Sequence, residues 1–279
     1  MDAGKGERVL MAKTYYKTVR RDLKSWYGNV QYEVGREVSV PAVRKPKLCT
    51  DTVLHASEKP LDALKYAGKL DCTLLEVSGD EVVQGYDKSG FFSLSVVREI
   101  PDSEKDALYG FSYNEAIHPV NPCKIKCKLT KKDRENLKQW AFVSDPIGAS
   151  IKALAWNSVR TSISASATAS VGLSVWGSIR GSIRGSIRGS IRGSIENSIE
   201  NSIENSIEDS IENSIWIYIG SLFPAIDKWA YIDHKNGDYP FQPGVDLWKR
   251  GFIPAHVNGR WILYHPVVGK PAKLVWEAL

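Results

Sequence analysis

The sequence predicts an α+β domain followed by a tetrapeptide-repeat β-solenoid and a small C-terminal cap. Short runs of strand-like and helical residues alternate over residues 1–145. One four-residue phrase then recurs through residues 150–221, and such self-similarity is typical of repeat architectures. Residues 222–279 are rich in Trp, Pro and Gly. These three regions give the predicted domains.

The N-terminal region contains four strand-like runs and two helical runs. The strand-like runs are VQYEVGREVSV, TVLHAS, CTLLEVSG and FFSLSVVREI. The helical runs are PLDALKYAG and KKDRENLKQWAF. The basic start of the second helical run is interpreted as a solvated helix start in preference to a phosphate-binding patch.

The repeat places a Ser at every fourth position from Ser158 to Ser214, each followed by an apolar residue that is most often Ile or Val. In an α-helix this apolar stripe would drift by about 40° per repeat, so no single partner would cover it. The fourth position of the regular tract is Gly, Asn or Asp, which tolerate the positive φ of a corner. We therefore expect a β-solenoid. The Ala-rich early copies leave a layered α-helical repeat open as the alternative.

The repeat changes from Arg to Glu once, near its middle. A solenoid coil of about sixteen residues would stack each Arg on a Glu, and identical pairs in series help to fix the register. The expected pairs are Arg180 with Glu196, Arg184 with Glu200, Arg188 with Glu204 and Arg192 with Glu208. The inward-pointing side chains expected to be buried include Ile187, Ile191, Ile203 and Ile207.

The C-terminal tail holds Trp229, Trp248, Trp261 and Trp276 within one short stretch. Small domains bury a smaller share of their surface, so this tail is expected to pack on something else. We expect it to cap the open end of the solenoid or to pack on the N-terminal domain. Its HVNGRW segment predicts a β-hairpin, because Asn-Gly supplies the positive φ of a tight turn.

The composition limits the class of protein. No apolar run reaches the length of a membrane span, and the first residues lack the features of a secretory signal, so a cytoplasmic protein without a membrane partner is expected. The four cysteines are few and irregularly spaced, which favours reduced thiols. The C-x3-C pair of Cys123 and Cys127, placed on one face by strand alternation, is a weak zinc signal, and no metal is expected. Common phosphate-binding, hydrolase and zinc motifs are absent, so no cofactor is expected.

The chain resembles uncharacterised proteins of phages and prophages. The resemblance is carried by Leu48-Cys49-Thr50, by Val53-Leu54-His55, by the segment 74–77 and by the tail WAYIDHKNGDYPFQPGVDLWKRGFIP, together with the tetrapeptide repeat. It implies a phage-encoded protein in the host cytoplasm. The resemblance implies no activity, because that family has no assigned function.

The first 100 residues are also similar, in the order of their strands and helices, to ADP-ribosyltransferase-like folds. His55-Ala56-Ser57 matches the H-[GA]-[ST] element with which such enzymes hold nicotinamide dinucleotide. The resemblance implies a late carboxylate, for which Glu99 and Glu115 are the candidates. The sequence departs from that pattern because it has no E-x-E pair in the expected place.

These observations lead to two functional hypotheses. The first is a non-enzymatic interaction protein, phage-encoded, that binds a host or phage macromolecule and whose partner is a protein. The alternative is an ADP-ribosyltransferase-like enzyme, active or degenerate, with a repeat appendix. The net charge of +5 is mild, but Lys and Arg crowd the N-terminal region, so a nucleic-acid partner stays open there. Homo-oligomerisation stays open as well.

Overall fold

A computed structural model gives a mixed α/β fold with three small antiparallel sheets in the described residues. The chain divides into two compact units, Met1–Leu108 and Tyr109–Leu279. The sequence-based boundaries at 145–150 and 221–222 fall inside the second unit. The described residues are 13–28, 30–144, 151–163, 169–172, 174, 200–257, 259–267 and 270–278.

The N-terminal unit contains seven described strands and one short helix, and a second helix, α2, ends at the first residue of the next unit. The strands are β1 (Tyr15–Val19), β2 (Glu37–Ser39), β3 (Leu54–Ala56), β4 (Thr73–Ser78), β5 (Glu81–Gln84), β6 (Ser89–Phe91) and β7 (Ser93–Ile100). The helices are α1 (Pro60–Leu64) and α2 (Asp102–Tyr109). One sheet has the order β1-β4-β7-β2 and the other has the order β3-β6-β5.

The two sheets of this unit enclose one apolar core. Alternation along β1 buries Tyr15 and Val19 against residues of β4 and β7, such as Leu75 and Leu94. An isolated bridge joins Tyr16 to Ser57, so β1 lies beside the end of β3. Beyond this free edge of β1 the chain leaves a cleft.

Beyond α2, the C-terminal unit contains five α-helices with described bounds, one 3-10 turn and a three-stranded antiparallel sheet. The helices are α3 (Tyr113–Ile117), α4 (Lys131–Ser144), α5 (Ile151–Ser162), α6 (Glu200–Ser221) and α7 (Gln242–Lys249), and a 3-10 turn spans Pro122–Lys124. The strands are β8 (Ile253–Val257), β9 (Arg260–Val267) and β10 (Lys270–Ala278), in the order β10-β9-β8. Helix α6 packs against α5, α7 and β8.

The prediction of a β-solenoid is wrong. The described parts of the repeat are helical, in α5 and α6, and no sheet in the described residues closes or curls into a coil. The two helices pack side by side, with Val159 of α5 against Gly220 of α6. A Cβ at Gly220 would lie 3.0 Å from Val159 Cγ2. Helix α6 also packs on α7 and β8, which lie outside the repeat, so the described helices do not form a stack of repeated layers either.

The serines explain why the repeat tolerates a helix. Ser214 Oγ donates a hydrogen bond to the carbonyl of Ser210 at 2.8 Å, which is the preceding serine of the repeat. A Ser at every fourth position can therefore bond along the helix itself and needs no corner. The expectation that the apolar stripe would drift away from any one partner is also wrong for the described copies, because Ile211, Ile215 and Ile219 are all buried. Over these copies the stripe turns by only about 80°, which one packed face covers.

The predicted Arg–Glu pairs of the repeat required the coils of a solenoid. The backbone at Glu200, Glu204 and Glu208 belongs to α6, so the coil geometry assumed for the pairs is not present at these residues. The other members of the ladder, Arg180, Arg184, Arg188, Arg192 and Glu196, lie outside the described residues. Of the isoleucines expected to be buried, Ile187 and Ile191 also lie outside them. The side chains of Ile203 and Ile207 are likewise not among those described.

The C-terminal tail packs within its own unit and caps no solenoid. Trp229, Trp248 and Trp261 are buried, and β8 packs on α6. The tail thus covers a helix of the repeat. This explains why, near the end of α6, apolar residues stand at the position that is Arg or Glu in earlier copies. The hairpin prediction is confirmed, since Val257 pairs with Arg260 and Gly259 has a φ of +77°.

The basic segment at the start of α4 is a solvated helix start, as predicted. Lys131 and Lys132 are exposed. Thr130 and Asp133 cap the helix reciprocally, because the carboxylate of Asp133 accepts from the Thr130 backbone N–H at 2.7 Å and the Thr130 hydroxyl accepts from the Asp133 N–H at 3.3 Å. Arg250 completes the site through an ion pair with Asp133 at 3.1 Å. No helix in the described part of the chain is both long and apolar enough to cross a bilayer.

Candidate ligand-binding cleft

A cleft of about 750 Å³ opens in the N-terminal unit beside the free edge of β1. Its wall is formed by β1, the segment 25–32, the loop into β3 and the turn between β5 and β6. We call it the lysine cleft, because two lysines supply its positive charge. The residues that give it chemical character are Lys17, Trp26, Tyr27, His55, Tyr66 and Lys88.

Lys17 is half-buried on the same face of β1 as the core residues Tyr15 and Val19. Its Nζ donates a hydrogen bond to the carbonyl of His55 at 2.7 Å and lies 5.2 Å from the centroid of the Tyr32 ring. Burial, with a smaller contribution from the charge of Lys88, lowers the pKa of Lys17 to about 8. Within the described residues no carboxylate forms an ion pair with it.

Lys88 brings the second positive charge from the other side of the unit. It follows the β5–β6 turn, in which the backbone N–H of Gly85 donates to the Lys88 carbonyl at 2.9 Å. Its Nζ lies 3.9 Å from the centroid of the Tyr66 ring, a cation–π contact. Tyr66 is itself held by its hydroxyl, which donates to Asp87 at 2.5 Å. In the described part of the chain, Lys88 also has no ion pair with a carboxylate.

His55 lies on β3 and lines the cleft, but one of its nitrogens is already occupied. Its Nε2 accepts a hydrogen bond from the backbone N–H of Cys49 at 3.0 Å. Burial, together with the charges of Lys17 and Lys88, lowers the pKa of His55 to about 4. The ring is therefore neutral at neutral pH. It holds the Cys49 loop, whose residue Cys49 has the uncommon φ of +62°.

Aromatic side chains form much of the rest of the wall. The Tyr27 side chain is 84% exposed, while Trp26 is half-buried. Gly68 makes room for Trp26, because a Cβ at that position would lie 2.7 Å from Cε3 of the indole. The indole N–H of Trp26 is buried with no acceptor in the described residues. The cleft therefore combines cations with flat apolar surface.

The two carboxylates proposed from sequence do not join His55 in the cleft as described. Glu99 is an exposed residue of β7, opposite Leu75 of β4, and is not among the residues that line the cleft. Glu115 lies on α3 of the other unit, where Lys249 Nζ pairs with its Oε1 at 2.7 Å and the Tyr218 hydroxyl donates to the same oxygen at 3.1 Å. Among the described lining residues the one carboxylate is Asp51, which is exposed.

The C-terminal unit has a cavity of its own, of about 980 Å³, near Trp229 and His234. His234 stabilises a local turn through both of its ring nitrogens. Its Nε2 accepts from the Trp229 backbone N–H at 2.8 Å, and its Nδ1 bonds the Lys235 carbonyl at 2.8 Å. Both nitrogens are thus used by the local turn, which leaves none for a ligand.

The cysteine pair does not lie on a strand as expected. Cys123 is buried in the 3-10 turn, and the Cys127 thiol donates to the carbonyl of Arg250 at 2.6 Å. Burial raises the pKa of both thiols. Within the described ranges, no group of three or more His, Cys, Asp or Glu side chains is placed to hold a metal ion.

Sequence reasoning missed the two lysines of the cleft. A signal existed in TYYKTV, where the alternation puts Lys17 on the face that also carries Tyr15 and Val19. A lysine on the apolar face of a strand is uncommon unless it has a partner or a function. Lys88 gave no such signal, since it follows a turn and is separated from Lys17 by 71 residues of chain.

Residues 13–105 match the model of a protein family described as a domain of unknown function, DUF7666. This segment covers the described strands of the N-terminal unit and every residue that lines the lysine cleft. No curated protein and no solved structure matches the chain. The lysine cleft is thus a feature of the segment that is similar to that family.

Proposed function

We propose that the protein is a non-enzymatic interaction protein, and that its N-terminal unit recognises an anionic group of its partner in the lysine cleft. The observation that carries this proposal is the pair of half-buried lysines, Lys17 and Lys88, which share one cleft without a carboxylate partner in the described residues. Removing charges from water is costly unless they are paired. An anionic ligand would pair both.

The proposed partner and its proposed location rest on the sequence. The resemblance to phage proteins supports a phage-encoded protein that acts in the cytoplasm of the host on a host or phage macromolecule. The cleft supports a partner with a negatively charged group at the contact. Homo-oligomerisation is proposed from the sequence alone.

Pyrophosphate is a suitable probe, because it carries charge without any other recognition element. We expect calorimetric titration of the full chain to detect its binding, and Lys17→Met or Lys88→Gln to weaken that binding at least about tenfold, which corresponds to about 1.4 kcal/mol. Lys69→Gln is the matched control, since Lys69 is exposed and lies outside the cleft lining. No binding by the wild type, or equal binding by the two cleft variants, would overturn the proposal.

The alternative of an ADP-ribosyltransferase-like enzyme is favoured by one observation, the position of His55 in the lining of a cleft. Two observations weigh against it: the occupied Nε2 of His55 and the position of Glu99 outside the lining. Release of nicotinamide from the dinucleotide, lost in His55→Ala and retained in Lys69→Gln, would support the enzyme. We expect no release above the uncatalysed rate.

A further inference from the structure

Exposed tyrosines in the N-terminal unit concentrate at the lysine cleft. In its described residues, three tyrosines are exposed: Tyr27 at 84%, Tyr66 at 38% and Tyr86 at 103%. Tyr27 and Tyr66 line the cleft, and Tyr86 lies in the turn that presents Lys88. Rings left in water beside unpaired cations are surfaces on which a flat apolar group can stack.

A loop next to the same cleft carries further positive charge. Some basic residues at the start of the chain are neutralised; Arg20, for example, pairs with Asp22 at 2.6 Å and Arg21 pairs with Asp71 at 2.7 Å. The loop 41–48 joins the lining residues Val40 and Cys49, and its exposed basic residues form no ion pair with a described carboxylate. They are Arg44, Lys45 and Lys47.

The size of the cleft excludes a bare inorganic anion as its full occupant. At about 750 Å³ it lies in the range of about 300–1,000 Å³ that holds drug-sized molecules. A ligand must therefore supply apolar surface for the aromatic walls as well as charge for the lysines. The exposed basic loop beside the cleft can contact further negative charge at a distance from the first.

Resting on the proposed function, we infer that the lysine cleft binds a single-stranded polynucleotide, with a phosphate on Lys17 and Lys88 and bases stacked on Tyr27 and Tyr86. A single strand repeats a phosphate and a flat ring along its length, which matches cations interleaved with exposed rings. The next phosphates contact the loop 41–48. A duplex keeps its bases stacked inside and cannot place them on the tyrosines.

The test uses the full chain with fluorescently labelled octathymidylate, octauridylate and a twelve-base-pair DNA hairpin, measured by anisotropy. We expect a single strand to bind at least tenfold more tightly than the hairpin. Comparison of the first two probes assigns the partner to DNA or RNA. Stacking is worth about 1–3 kcal/mol per base, so Tyr27→Ala and Tyr86→Ala should each weaken single-strand binding by about fivefold or more.

Matched variants separate stacking from charge. Tyr231→Ala removes a tyrosine that is 67% exposed in the other unit and should leave binding unchanged. Tyr27→Ala and Tyr86→Ala remove exposed rings, so they should fold normally. Lys17→Met should reduce both the affinity and its dependence on salt, because fewer counterions are released.

Three results would overturn the inference: equal or tighter binding of the hairpin, full affinity in both tyrosine variants, or a phosphotyrosine peptide that binds more tightly than either single strand. If pyrophosphate binds through the lysines while neither single strand binds more tightly than the hairpin, the inference fails and the proposed function stands. If neither pyrophosphate nor a polynucleotide binds, both fail.

Discussion

Two regions of the N-terminal unit each contain a lysine that is removed, wholly or partly, from solvent. In one region the lysine forms an ion pair, and in the other it has no described carboxylate partner. At the start of α2, the Lys105 side chain is fully buried and its Nζ donates to the Cys72 carbonyl at 2.7 Å and to Asp102 at 2.6 Å. In the lysine cleft, Lys17 has a carbonyl and a ring but no described carboxylate. The first lysine pairs with a carboxylate of the fold, whereas the second has none among the described residues.

The pKa of Asp102, the carboxylate at the start of α2, reflects this pairing. Burial favours the neutral form of Asp102, but hydrogen bonds from Arg21 and Lys105 outweigh it and keep the pKa of Asp102 below its ordinary value. In the cleft, burial and neighbouring positive charge act together and lower the pKa values of Lys17 and His55. A site whose charged forms are disfavoured in the free protein is typical of a functional site. The difference teaches that burial alone does not make a lysine structural.

The largest effect is expected for Lys105→Met. It removes two hydrogen bonds from a buried ammonium and leaves the carbonyl of Cys72 without this donor, so the free energy of unfolding should fall by about 3 kcal/mol. Urea unfolding of the full chain, followed by far-UV circular dichroism, measures the change. A loss below about 1 kcal/mol would mean that this lysine is no more structural than Lys17.

A smaller effect is expected from the protonation of His55. Its pKa is about 4 in the folded protein and about 6.5 when unfolded, so the unfolded state binds the proton more tightly. The free energy of unfolding should therefore fall as the pH falls from 6.5 to 4. We expect a contribution of about 2 kcal/mol, obtained as the difference between wild type and His55→Gln.

The variant isolates His55 because the carboxylates titrate in both proteins. Lys17, Lys88 and Asp51, which line the same cleft, are unchanged in it. A difference between the two stability curves that stays flat over this pH range would contradict the neutral His55 on which the comparison rests.

Anion binding should weaken as Lys17 loses its proton. With a pKa of about 8 in the free protein, the ammonium is mostly neutral at pH 9, so pyrophosphate affinity should fall by up to about tenfold between pH 7 and pH 9. Lys17→Met should remove most of this dependence. If the variant retained the full pH dependence, another group of the cleft would be responsible.

The smallest effect, and one of opposite sign to Lys105→Met, is expected for the stability of Lys17→Met. The folded state disfavours the Lys17 ammonium, so an apolar side chain of similar shape should raise the free energy of unfolding at pH 7 by about 1 kcal/mol, even after the loss of the bond to His55. In wild type, stability should rise from pH 8 to 10.5, where the unfolded state holds more protons. That rise should be smaller in the variant.

The sequence was a good guide wherever local chemistry decides the structure. The Asn-Gly turn between β8 and β9 was predictable because few residues accept its φ. The strands at 73–78 and 93–100 lie where apolar alternation predicts strands, and α4 begins at its Thr-Asp cap. The run 30–40 was less well predicted, since only Glu37–Ser39 is a strand and Gly35 turns the chain with a φ of +79°.

The repeat and the cleft were not predictable for different reasons. In the repeat, a pattern of Ser, Ile and Gly or Asn is compatible with two backbones, and packing on α5 and β8 decides for the helix. In the cleft, Lys17 and Lys88 are far apart in sequence and meet only because the β3-β6-β5 sheet is placed beside β1. Contacts of that kind depend on tertiary structure and leave no periodicity in the sequence.

The serine bonding of α6 has a consequence for how the gene can change. Each tetrapeptide unit is encoded by twelve nucleotides, so the gain or loss of a whole copy keeps the reading frame. The packed end of α6 depends on Ile211, Ile215 and Ile219, with Ser214 bonded to the Ser210 carbonyl just before it. A copy gained or lost upstream leaves these residues and their spacing unchanged. The packed end of the helix therefore does not depend on the number of copies that precede it.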